Sequence, residues 1–279
     1  KEIAKGIYAV GVSDWNIRNF HGYLTKLGSS YNSYLVVDDK ITLIDTVKAP
    51  FAEELLDRIS EIVEPEKIDY LICNHVEMDH SGSMPKVLAR AKNATVITTA
   101  TAQKELALHY DTSSWKYQIV KSGDSIKIGQ HTYDFVLTPM VHWPDNMVTY
   151  NEEEKILFSN DAFGQHKAHS EVFADELPMD YVLMQAKMYY ANIVMPYSTQ
   201  VVSALTAASK LDIKMIAPSH GMVFRKDLDK ILSLYDKWSH CRVDKKAVIV
   251  YDSMWHSTES MAEAIAKAFE DKGYCFKIF

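Results

Sequence analysis

Tyr70-Leu71-Ile72-Cys73-Asn74-His75-Val76-Glu77-Met78-Asp79-His80 opens as an apolar run and closes on side chains that bind cations. Tyr70 to Cys73 has the length and apolar character of a buried strand, and the polar run begins where that strand must end. His75, Glu77, Asp79 and His80 then place four ligand-type groups within six residues. Such density on a loop at a strand's end is what a metal site requires, because imidazole nitrogens and carboxylate oxygens must converge on one cation.

Outward from this stretch the arrangement recurs. Alternating apolar residues mark strands at Ile7 to Val12, Tyr34 to Val37 and Ile41 to Ile44, the last two joined across Asp38-Asp39 as a hairpin. Pro50 heads a helical stripe of Phe51, Leu55, Leu56, Ile59, Ile62 and Val63. Beyond His80, helices are expected around Met84 to Ala91, Ala102 to His109, Tyr181 to Ala191 and Thr199 to Ala208. Strands are expected at Thr95 to Thr98, Tyr117 to Val120, Ser125 to Ile128, Tyr133 to Leu137, Met147 to Tyr150, Ile156 to Ser159 and Lys214 to Ala217. Early antiparallel hairpins followed by alternating strands and helices fit an α/β chain with two mixed sheets flanked by helices, a four-layer αββα sandwich, better than a doubly wound parallel sheet. His142, Asp161 and His220 each follow one of these strands. If the strands share an edge, seven groups reach one pocket, a number that suits two metals with Asp161 able to bridge them.

These residues resemble the metallo-β-lactamase superfamily, whose usual signature is H-x-H-x-D-H followed by isolated His, Asp and His. Glu77 stands where the zinc hydrolases carry their second histidine, and H-x-E-x-D-H marks the flavodiiron proteins. The added carboxylate favours iron, whose ferric state prefers harder, more anionic ligands. The resemblance runs on through Asp14 to Gly22, His142-Trp143-Pro144-Asp145, Asn160 to His166 and Tyr189 to Ile193. It implies that His75, Glu77 and His142 hold one non-haem iron and Asp79, His80 and His220 the other, with Asp161 between them. In some members the residue at the position of His80 swings away from the metal. His21, Trp143, Tyr189 and Tyr190 would line the pocket over the irons, with His21 or a tyrosine supplying a proton or hydrogen bond. His109, His131, His166, His169, His240 and His256 are expected in solvated or structural roles.

A boundary is expected near Val243 to Lys246, so that residues 1–243 form the diiron domain and residues 246–279 begin another. Ala247 to Tyr251 is an apolar strand, Ser257 to about Glu270 a helix and Tyr274 to Phe279 a further strand, the opening of an α/β domain too short to bury its own core. The natural chain is therefore expected to continue. The hydroxyls of Ser253, Ser257 and Thr258, with Met254 and Trp255 between, lie at a strand-to-helix turn, where helix N–H groups can hold a phosphate. This segment resembles the phosphate loop of a flavodoxin-like domain, which implies FMN, retained poorly where the later isoalloxazine loops are missing.

Taken together, the resemblance implies an oxidoreductase that passes electrons through FMN to the diiron site and reduces O2 to water or NO to N2O. It also implies a head-to-tail homodimer and a separate electron donor such as rubredoxin or reduced deazaflavin. A di-zinc hydrolase of the same fold is the alternative, and a diiron gas sensor a third class. Composition agrees with a globular chain: 279 residues are 47% apolar and 24% charged. With 37 acidic against 30 basic residues the formal charge is −7, which disfavours nucleic acid or an anionic membrane as partner. No apolar run approaches the ~20 residues of a membrane helix, and a cytoplasmic location is expected. Cys73, Cys241 and Cys275 form no C-x-x-C pair.

Overall fold

Successive residues of a strand point to opposite faces. In the computed structural model, which describes residues 1–279, Leu35, Leu43, Leu71 and Val96 belong to one apolar cluster and Val36, Ile44, Ile72 and Ile97 to another. Each of these strands is therefore buried on both faces, which is why it reads as a continuous apolar run.

The chain divides into two units, Lys1–Ser239 and His240–Phe279. In the first, a seven-stranded sheet runs Glu2–Ala4, Ile7–Ala9, Tyr34–Val36, Ile41–Ile44, Ile68–Ile72, Thr95–Thr99 and Lys116–Val120. The first four strands are antiparallel, and pairing from Ile41–Ile44 onward is parallel. A five-stranded sheet runs Ser125–Ile128, His131–Leu137, Met147–Asn151, Ile156–Asn160 and Met215–Pro218, antiparallel except for the last pair. Ile44, Ile72 and Ile97 of one sheet meet Phe135, Met147 and Phe158 of the other, all fully buried. Outside the first sheet lie the helices Ala52–Ser60, Met84–Arg90 and Ala100–His109, which contribute Leu55, Val87 and Leu106 to the outer cluster. Outside the second lie Met179–Tyr189, Ser198–Ala208 and Leu228–Ser239, which contribute Val182, Val201 and Ile231. This is the expected four-layer αββα sandwich.

Several details differ from expectation. The strand expected over Ile7 to Val12 breaks: Ile7–Ala9 joins the large sheet, while Val12–Asp14 pairs with Ser29–Tyr31. Gly11 sits at the break, where a Cβ would run into the Tyr31 carbonyl, so only glycine lets the two segments approach. Asp79 and His80 stand on a one-turn helix, Met78–Ser81, rather than on open loop. The helix Leu228–Ser239 goes beyond the sequence expectations, although its buried Ile231 and Tyr235 recur at helical spacing.

In the second unit, Lys246–Ile249 pairs in parallel with Cys275–Ile278, and the helix Ser257–Asp271 lies between them in sequence. No helix of the chain is long and apolar enough to cross a membrane.

Candidate metal centre

The centre is assembled from the segments that follow strands of both sheets. Ile68–Ile72 leads to His75, Glu77, Asp79 and His80. His131–Leu137, Ile156–Asn160 and Met215–Pro218 lead to His142, Asp161 and His220. Asp45, at the end of Ile41–Ile44, ties these ends together: it is buried and accepts the Asn74 N–H at 2.7 Å and the side-chain amides of Asn74 and Asn160 at 3.0 and 3.2 Å.

The ligand-type atoms of the seven predicted residues form two groups, and His21 makes a further one with Glu77 and Asp79. His75, Glu77, His142 and Asp161 make one, and Asp79, His80 and His220 the other, with the atoms of each within 4.8 Å of one another. Asp161 faces both. Its Oδ2 lies 3.6 Å from His75 Nε2 and 3.3 Å from His142 Nε2, while its Oδ1 lies 3.1 Å from His80 Nε2 and 3.4 Å from His220 Nε2. Glu77 Oε2 is 3.1 Å from His142 Nε2, and Asp79 Oδ2 is 3.1 Å from His220 Nε2. All seven sequence-predicted ligand residues therefore meet in one place.

Apart from His80 Nε2 and Asp161 Oδ1, which lie 3.1 Å from each other, the nitrogens and oxygens that converge are left without hydrogen-bond partners. His75 Nε2, His142 Nε2, His220 Nε2, Glu77 Oε2, Asp161 Oδ2 and both oxygens of Asp79 are buried and unpaired. A polar group buried without a partner costs about 1–3 kcal/mol, and more when charged. So many orphans in one cluster are explained by cations, which three carboxylates and four imidazoles can hold.

Without a metal, protons occupy this set. Burial alone would push the His142 imidazole down, but Asp161 and Glu77 reverse this and raise it to about 9. His220 is likewise depressed by burial and then carried up to about 10 by Asp161 and Asp79. Burial would raise the carboxyl groups of Asp161 and Glu77, yet the surrounding imidazoles hold both well below the usual carboxylate range.

A second layer fixes the ligands. Asp145, fully buried, accepts the His75 Nδ1–H at 2.9 Å and the Val76 N–H at 2.8 Å, so that His75 presents Nε2 inward. The Ser30 carbonyl does the same for His220, accepting Nδ1–H at 2.6 Å. Tyr189 donates its hydroxyl to Asp161 Oδ1 at 2.8 Å; burial and that carboxylate push its own pKa far up, so it remains a donor. His21 Nε2 is 3.2 Å from Glu77 Oε1, and its Nδ1 is 3.1 Å from His166 Nε2. The Trp143 ring lies edge-on to His75, with centroids 5.3 Å apart.

Two expectations change. Tyr190 is not at the centre: its hydroxyl pairs with Ser198 Oγ at 2.9 Å and its ring packs on Tyr235 and Trp238. His166, expected in a solvated or structural role, is buried at the centre, its ring 4.7 Å from that of His220 and its Nδ1 2.8 Å from Ser29 Oγ. Burial, reinforced by the neighbouring imidazoles of His220 and His21, pushes it well below the usual histidine range and keeps it neutral. Asp145, His166 and Tyr189 all lie in segments that the resemblance spans, whereas nothing in the sequence singles out the Ser30 carbonyl.

In the second unit, Ser253 Oγ is buried without a partner just before the helix that opens with Ser257 and Thr258. Met254 and Trp255, in the same turn, are exposed. An orphaned hydroxyl beside free helix N–H groups fits a phosphate-bearing group.

Residues 30–221 match the profile of the ODP family beta lactamase. The chain is 45% identical over 281 residues to the nitric oxide reductase of Moorella thermoacetica, covering 99% of this chain and 70% of that protein.

 

The rubredoxin-oxygen oxidoreductase of Megalodesulfovibrio gigas is 41% identical over 282 residues, with 99% of this chain and 70% of that protein covered. Among solved structures, the flavodiiron protein from Giardia intestinalis superposes with a TM-score of 0.97 at 41% identity, covering 100% of this chain and 69% of that one.

Proposed function

Since the chain belongs to the flavodiiron proteins, within the metallo-β-lactamase fold, we propose that it is an oxidoreductase reducing NO to N2O or O2 to water at a diiron centre supplied with electrons through FMN. The observation that carries this reading is the pair of ligand groups sharing Asp161, with Glu77 among the donors. His75, Glu77 and His142 would hold one iron, Asp79, His80 and His220 the other, and Asp161 both. Two irons and a flavin, when bound, supply the four electrons that take O2 and four protons to water, or the two electrons that take two NO and two protons to N2O and water.

The chain's own residues hold and orient. Asp145 and the Ser30 carbonyl fix the inward nitrogens of His75 and His220, and the Tyr189 hydroxyl steadies Asp161. His21, bonded to Glu77 at the edge of the centre, is the residue we assign to proton delivery. Ser253, Ser257 and Thr258, with Met254 and Trp255, would hold FMN in a flavodoxin-like domain that begins near residue 246. A head-to-tail homodimer would bring the FMN of one copy to the irons of the other. Exposed Leu24, Leu27 and Met188 border a pocket that reaches His166 and offer an apolar surface for such a partner. Rubredoxin, named in the Megalodesulfovibrio gigas relative, or reduced deazaflavin would be the electron donor.

The test is metal analysis paired with gas consumption on protein expressed with adequate iron. About two irons per chain with NO or O2 reduction is expected; stoichiometric zinc with hydrolase turnover would overturn the reading. Glu77→His, which recreates the hydrolase ligand set, is expected to retain iron weakly and to lose reductase activity.

A further inference from the structure

Behind the centre lies a small apolar cavity of about 30 Å3, lined by Val141, Leu157, Phe163, Val201, Ala204 and Leu205 among others. It shares no lining residue with the pocket that reaches His166. Val141 directly precedes His142, and Ala162 and Phe163, also in its wall, directly follow Asp161. The cavity therefore backs onto two of the residues assigned to the metals.

Its chemistry disfavours water. Of its three polar lining residues, Ser159 donates its hydroxyl to the Ala162 carbonyl at 2.7 Å and the Tyr235 oxygen accepts the Phe163 N–H at 2.6 Å, which leaves the Thr138 hydroxyl and the Tyr235 O–H as isolated polar groups in an otherwise apolar wall. A buried water needs two to four polar partners, whereas a dry apolar cavity takes up apolar guests such as xenon. The volume admits a diatomic molecule and little more. Ala204 and Ala208, on the helix Ser198–Ala208, leave the space that larger side chains would fill.

We propose that this cavity is a holding site for an uncharged diatomic gas, from which substrate reaches the centre past Asp161 and His142. The proposal rests on the gas-reductase reading and adds a site and a route to it. Xenon is the probe, because it reports the cavity without any turnover. Crystals of the protein pressurised with xenon are expected to show one atom between Val201 and Phe163, and Ala204→Phe to exclude it. In the iron-loaded, dithionite-reduced protein, A204F is expected to slow the bimolecular reaction with NO several-fold while iron content and melting temperature hold. Ala204→Val, a smaller filling, should give an intermediate slowing and serves if A204F folds poorly. Absence of xenon from the wild-type cavity, or an unchanged NO rate in both variants, would overturn the proposal. Xenon bound in a protein that reduces neither gas would overturn the functional reading instead.

Discussion

Asp145 makes no contact with the space between the ligands, yet it sets which nitrogen His75 offers to that space. Replacing it with asparagine keeps the shape and removes the charge that holds the His75 Nδ1–H. Asp145→Asn is expected to weaken metal binding 10- to 100-fold, roughly the range for lost partners of ligating histidines, as measured by competition with a chelator. Protonation acts on the same nitrogens. His142 and His220 are raised to about 9 and about 10 in the metal-free centre, so near neutrality both carry protons that a cation must displace. Uptake of Co(II) by metal-free protein should therefore strengthen as pH rises from 6 to 8, by about tenfold per unit for each proton released. A pH-independent affinity would show that the imidazoles are already neutral. The ligands are legible in the sequence because all seven stand in a loop or single turn that follows a strand, whereas Tyr190 departs from its expected place for a geometric reason. Adjacent helical residues point about 100° apart, and Tyr189 takes the direction of Asp161, which leaves Tyr190 facing Tyr235.

Ile68–Ile72 carries both the core and the approach to the ligands. Ile72 is fully buried between the sheets, three residues before His75. Ile72→Ala is expected to destabilise the fold by about 2–5 kcal/mol, read by chemical denaturation, and to loosen metal binding as well. An exposed-face substitution such as Lys116→Ala serves as the control. The existence of such strands could be read from their apolar runs, but their assignment to one sheet or the other could not. When both faces are buried the twofold alternation disappears, and Leu71 facing outward reads the same as Ile72 facing the second sheet. The two-residue strands Asn19–Phe20 and Tyr23–Leu24 leave no pattern at all, although they position His21 between them.

At the scale of the first unit, the two sheets contribute different ligands: the loop after Ile68–Ile72 gives four, and the second sheet gives His142, Asp161 and His220. Metals bound between them join the layers, and chelation removes that link together with the cations that satisfy the buried carboxylates. Metal-free protein is expected to melt roughly 6–12 °C lower, the equivalent of about 3 kcal/mol for a unit of this size, as measured by calorimetry before and after dialysis against chelator. The division of ligands also sets an order of events during synthesis. A growing chain carries the His75 cluster early but lacks Asp161 until the second sheet is nearly complete, and lacks His220 until after Met215–Pro218. The group with His75, Glu77, His142 and Asp161 is complete in sequence once Asp161 is made, but the group with Asp79 and His80 is not whole before His220, so ribosome-bound chains stalled ahead of residue 215 should not retain a full pair of irons. The paired centre is thus acquired by a finished two-sheet site rather than by a nascent loop alone.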